Sequence, residues 1–196
     1  MTLPPPAERK LVHTRQVAFR GYHRADRFWD IEAEVTDTKS YLFTSAGLGP
    51  VPPGTPIHAM AIRATVDDDL TIREIAAAMH SRPHDECMEG MAPLQKLVGC
   101  TLGPGWRATL EKHLGGSLGC THLRELLFNM ATAAFQSIPI YRQELARAAG
   151  QPEGTAHARP FHLGKCIAWD TAGALTLKHF PLYFVPPRRT GDAAGD

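Results

Sequence analysis

Leu123, Leu126, Leu127, Met130 and Ala134 recur at the spacing of one helix face, directly behind the stretch Gly119-Cys120-Thr121-His122. A helix with one apolar stripe needs a second layer to cover it, and that requirement most constrains how this chain can fold. The pattern predicts a helix from about Thr121 to Ser137, with Pro139 marking a break or kink before an extension to Ala149. The covering layer is expected earlier in the chain. Within a strand-like region from Thr14 to about Thr44, the run Trp29-Asp30-Ile31-Glu32-Ala33-Glu34-Val35 alternates at period two, and Ile57 to Val66 reads as a further strand.

The remaining segments fill in around these. Gly47 to Gly54 reads as a loop and Asp67-Asp68-Asp69 as a polar turn. Thr71 to Met79 suits either a helix opened by a Thr71/Glu74 capping box or the return strand of a hairpin. Met88 to Val98 and Trp106 to Leu114 read as short helices, although Pro93 lies in the first. Strand-like runs follow around Cys166-Ile167-Ala168-Trp169 and Ala174-Leu175-Thr176-Leu177. Strands first, helices in the middle and strands at the end, without alternating βαβ units, predict an α+β fold: an antiparallel sheet with helices packed on one face.

With 196 residues, 43% hydrophobic and 21% charged, the chain is expected to form a single domain over residues 11–185. The Pro-, Gly- and charge-rich ends, 1–10 and 186–196, read as loose, and 150–160 as a linker. A net charge of +1, from 21 basic and 20 acidic residues, gives no electrostatic case for nucleic acid or an anionic membrane. No stretch approaches the roughly 18 consecutive apolar residues of a membrane span. The first ten residues lack the apolar core of a secretory signal, which points to the cytoplasm. There the four cysteines read as ligands, nucleophiles or core fillers rather than disulfides.

Cys87 and Cys120 each precede a helical pattern. The first turn of a helix offers unpaired N–H groups and the positive end of the macrodipole, which favour a thiolate as nucleophile or metal ligand. The alternative for both is a small buried hydrophobe. His58 follows the Gly54-Thr55-Pro56 loop and begins a strand. Joined to Cys87 and Cys120, it completes a His-Cys-Cys set suited to one zinc or iron ion, with a fourth position left for water or substrate. His122 lies about 200° around the helix from Cys120 in a regular helix. Cys120 at the cap escapes that rule, so His122 is expected to be a proton-transfer group, a cap partner or a fourth ligand. Cys166 precedes an apolar run and reads as a further ligand candidate or a simple core residue, behind the others, and Cys100 reads as packing. Arg20, Tyr22, Arg24, Asp26 and Asp30 read as a salt-bridging cluster, with Arg20 or Arg24 able to meet a substrate carboxylate. No phosphate loop, dinucleotide fingerprint, nucleophile elbow or HExxH motif is present.

Phe28-Trp29-Asp30-Ile31-Glu32-Ala33, Pro56-Ile57-His58-Ala59-Met60, Gly105-Trp106, Gly119-Cys120-Thr121-His122-Leu123 and Ala131-Thr132-Ala133-Ala134-Phe135-Gln136 together resemble an uncharacterised bacterial family, a domain of unknown function. The order of elements is also similar to that of the U-type iron–sulfur scaffold proteins. That second resemblance implies a hairpin strand at Met60 to Asp68 and a strand, rather than a helix, at Thr71 to Met79. It also implies ligand cysteines at two helix starts, Cys87 and Cys120. The scaffold's first cysteine is missing here, because Pro56-Ile57-His58 stands in its place and His58 falls where the scaffold has an aspartate. Function is therefore expected to be that of a metalloenzyme acting on a small molecule, of hydrolase, lyase or isomerase type. Sulfur transfer or cluster scaffolding is the alternative, and a non-catalytic interaction module the third.

Overall fold

The structure, a computed structural model, describes residues 3–150, 159–160 and 162–186. The expected linker at 150–160 and the loose C-terminus at 186–196 fall mostly outside the described residues. Two compact units are present, Met1–Arg142 and Gln143–Asp196.

In the first unit, strands β1 (His13–His23), β2 (Trp29–Lys39), β5 (Pro56–Val66) and β6 (Ile72–Ser81) form one sheet in the order β1-β2-β5-β6, antiparallel throughout. The period-two run of β2 sends Trp29, Ile31, Ala33 and Val35 into the interior, where each is at most 3% exposed. Met60, Ile62, Ala64 and Val66 of β5 and Ile72, Ile75 and Met79 of β6 extend that apolar face. Glu32, Glu34 and Arg63 point the other way, toward solvent, where Arg63 pairs with Glu32 and Arg20 with Glu34. Thr71 to Met79 is thus strand. Its turn is tied by Asp67, whose carboxylate accepts the amides of Asp69 and Thr71 and holds Arg73.

Helices α1 (Trp106–Leu114) and α2 (Thr121–Ala148) cover the apolar face. The stripe Leu123, Leu126, Leu127, Met130 and Ala134 is buried as its spacing requires. Trp106 locks the two helices together by donating its indole N–H to the Leu127 carbonyl at 2.8 Å, in the interior. The fold is α+β, as expected.

Several boundaries differ from expectation. Pro139 does not break α2, which runs on to Ala148; a proline removes one amide donor and strains a helix, yet the helix continues although its buried residues end at Ile138. The segment between β6 and α1 is a tight 3-10 run, Asp85–Leu97, burying Leu94 and Leu97 three residues apart. A small hairpin, β3 (Phe43–Ser45) with β4 (Gly49–Val51), straddles the start of the glycine-rich loop, with Gly49 at φ +65°.

In the second unit the two expected strands are helical instead. Ile167–Trp169 is a single 3-10 turn and Ala174–His179 is α3, in which the Leu177 amide bonds back to the Gly173 carbonyl. Runs of only four residues do not separate period 2 from period 3.6. Here Thr176 is buried while Leu175 and Leu177 are exposed, and the Thr176 hydroxyl donates to the Asp170 carbonyl. Among the described residues, no helix is long and apolar enough to cross a membrane.

Candidate functional site

The apolar row on β2 ends in a charge. One step beyond Val35 on the same face comes Asp37, only 2% exposed. Sheet register puts Arg15 of β1 directly opposite it on one side and His58 of β5 on the other. Three neighbouring strands therefore present Arg15, Asp37 and His58 side by side at the polar end of the core-facing surface. A buried carboxylate is tolerable only when paired and hydrogen-bonded. Arg15 grips both oxygens, Nε to Oδ1 and Nη2 to Oδ2, each at 2.9 Å. His13 Nε2 lies 3.1 Å from Oδ1, and His58 Nδ1 lies 3.1 Å from Oδ2.

The start of α2 closes the other side. The Cys120 carbonyl accepts the Arg124 amide, so Cys120 is the capping residue and His122 lies in the first turn. His122 Nε2 is 3.8 Å from Asp37 Oδ2, and its ring lies against that of His58, tilted by 35° with centroids 3.8 Å apart. Its other nitrogen, Nδ1, faces the Cys120 sulfur at 4.0 Å. Arg15 also reaches Glu125 with Nη1 at 2.7 Å, tying β1 to the next turn of the helix. Gly90 of the 3-10 run backs onto Cys120 so closely that a Cβ there would lie 2.7 Å from the Cys120 Cβ.

The electrostatics follow from this packing. Burial pushes the Asp37 carboxyl up, but the Arg15 hydrogen bonds and charge, aided by His58 and His13, outweigh it and hold the group below the ordinary carboxylate range. Burial pushes His58 down despite the opposing pull of Asp37. His122 is likewise lowered, by burial first and then by the nearby His58 and Arg15. Both imidazoles are thus neutral near pH 7, each with a lone pair.

Of the residues singled out in the sequence, His58 and His122 come together, with Cys120 at the edge of the pair. Cys87 is half-buried against the core in the 3-10 run, and Cys166 is exposed in the second unit. Cys100 packs against the core with its thiol toward the Lys96 carbonyl. Asp37, Arg15 and His13 complete the site and were not singled out. Asp37, His58 and His122 are the described residues whose ligand-type atoms gather within 4.8 Å of one another. In the outer cluster Arg24 bonds Asp26 at 2.6 Å and Asp30 at 3.4 Å, while Arg20 pairs with Glu34.

Fold and site thus define an α+β protein with a carboxylate–imidazole centre at the open end of an antiparallel sheet. The chain belongs to the family described as proteins of unknown function (DUF2889), which matches residues 13–136, a span that holds every residue of this centre. No curated protein and no solved structure matches the chain.

Proposed function

We propose that the protein is a metal-dependent enzyme acting on a small molecule, with Asp37, His58 and His122 holding one zinc or iron ion. The observation that carries this reading is the gathering of three ligand-type atoms, from two strands and a helix start, within 4.8 Å. Ligand atoms around a tetrahedral zinc with bonds of about 2.0–2.1 Å lie about 3.4 Å apart. The separations of 3.1 Å and 3.8 Å from Asp37 Oδ2 to His58 Nδ1 and His122 Nε2 bracket that value. Neutral imidazoles and an ionised carboxylate are the protonation states a metal needs. An ion there would take the place of the proton shared between His58 and Asp37, leaving Arg15 to orient the carboxylate from behind. Three protein ligands leave one position for water or substrate, and the ion would supply Lewis-acid polarisation or an activated water. Hydrolysis, elimination and isomerisation are the reaction types this suits.

Metal analysis of purified protein is the test. Wild type should carry about one equivalent of zinc or iron, His58→Ala and His122→Ala should lose most of it, and Cys87→Ala should keep it. Negligible metal in the wild type would overturn the reading.

The contact between Cys120 and His122 favours a second reading, sulfur transfer. His122 would take the thiol proton, and the Cys120 thiolate would attack the outer sulfur of a donor persulfide, forming a Cys120 persulfide and releasing the donor thiol. A mass increase of one sulfur on Cys120, lost in His122→Ala, supports it; no such increase with a persulfide donor refutes it.

A further inference from the structure

Away from the Asp37 centre, the β3–β4 hairpin is pressed against the turn that joins β6 to the 3-10 run. A Cβ on Gly47 would collide with the Pro83 carbonyl and lie 2.8 Å from His84 Nδ1, so the two walls meet backbone to backbone. Between them lies a cleft of about 680 Å³, inside the range of roughly 300–1,000 Å³ typical of sites for small organic ligands. One wall is apolar, with Leu48, Pro50 and Pro52. The other carries Arg82 and His84.

Arg82 is the informative side chain. Its Nη2 donates to Asp85 at 3.0 Å, but Asp85 is almost fully exposed at 98%, and an exposed pair of this kind is held weakly. Its Nε is buried and, among the described residues, has no hydrogen-bond acceptor. A buried N–H without an acceptor is costly, and a guanidinium that turned from Asp85 into the cleft would meet an oxygen anion there with a charge-assisted bond. Asp85 and Glu86 at the rim oppose an anion, so Arg82 must exchange Asp85 for the ligand.

The geometry points to a site for an organic anion, a carboxylate or phosphate monoester joined to an apolar body, with Arg82 on the oxyanion and Leu48 and the prolines against the body. The cleft also borders the strand that carries part of the centre already described. Pro56 lines it, and His58 follows two residues along β5, about 7 Å away. The anion is therefore the substrate class of that centre; only this role as substrate rests on the metal reading, and the binding itself does not.

Titration of the full chain, isotopically labelled for NMR, with hexanoate, hexyl phosphate and hexanol tests the site. The anions should shift the amides of Leu48, Arg82 and His84 saturably, and hexanol at the same concentration should not. The tighter-binding of the two anions identifies the headgroup. Arg82→Gln should weaken anion binding at least tenfold, Arg82→Lys should retain most of it, and Leu48→Asp should weaken it while leaving the spectrum otherwise native. Equal binding of hexanol, shifts that map elsewhere, or undiminished binding in a folded Arg82→Gln protein would overturn the proposal. His58→Ala separates the two readings: it should abolish metal binding while anion binding persists, so a missing metal leaves the cleft to be judged on the titration alone.

Discussion

Replacing Arg15 by methionine removes the cation that makes a buried Asp37 tolerable while keeping much of the side chain's apolar length. Two charge-assisted hydrogen bonds to Asp37 are lost, each worth roughly 1.5–3 kcal/mol when intact, along with the exposed pair to Glu125, which is worth little. Arg15 is 36% exposed, so solvent discounts the sum. The expected cost at pH 7 is about 2–3 kcal/mol, and with a urea dependence of roughly 2 kcal/mol per molar the midpoint should fall by 1–1.5 M. The pH dependence should also invert. In the wild type the Asp37 pKa is lowered in the folded state, so its contribution is complete above the unfolded carboxylate value near 4 and is lost as pH falls through the folded value. In Arg15→Met burial is no longer outweighed, the folded pKa rises, and the variant should recover stability relative to wild type on acidification. Urea unfolding with chelator present, at pH 7 and pH 4.5, reads both effects. In an Asp37→Asn background the same substitution should cost under about 1 kcal/mol. An equal cost in both backgrounds would refute the reasoning, because the penalty would then arise from something other than the buried charge.

The imidazoles give a second pH signature. His58 and His122 have lowered pKa values in the folded state, so their contribution is complete above the unfolded histidine value near 6.5 and is lost as pH falls below it. Chelated wild type should thus lose stability between pH 7 and pH 5.5, and His122→Gln should flatten that slope in urea titrations. Trp106→Phe removes the interior bond to the Leu127 carbonyl and should cost about 1 kcal/mol, read by denaturation with unchanged far-UV circular dichroism. Gly90→Ala forces a Cβ into the Cys120 side chain and should destabilise by about 1–3 kcal/mol, with most of the loss restored in Gly90→Ala/Cys120→Gly.

Much of the fold is legible in the chain because two long periodic signals are strong. The β2 alternation and the α2 stripe each name a face, and the structure buries both. Thr71 to Met79 is ambiguous by periodicity alone; the Asp67 turn and pairing with β5 decide for strand, a tertiary effect no local pattern carries. The 166–177 region goes the other way, since its apolar runs are too short to carry a period. At the site, His58 and His122 are visible as unusual residues beside a loop and a helix start. Asp37 is visible only as the charged continuation of Trp29, Ile31, Ala33 and Val35, a polar residue on a face that should be apolar. Arg15 has no signal of its own, because only the β1–β2 register brings it opposite Asp37. The expectation of cysteine ligands rests on helix-start chemistry, whereas Asp37 comes beside His58 and His122 through sheet register and helix packing, which no local pattern carries.

Cobalt binding tests the metal centre most directly, because Co²⁺ replaces zinc and reports the identity of its ligands by colour. Titration of metal-free wild type should saturate at about one equivalent with weak visible bands of nitrogen and oxygen ligation and no intense near-ultraviolet thiolate band. Asp37→Ala, His58→Ala and His122→Ala should each lose the signal, and Cys120→Ala should keep it. A thiolate band that disappears in Cys120→Ala, or saturation that survives loss of both histidines, would contradict the assignment of Asp37, His58 and His122 as the ligands.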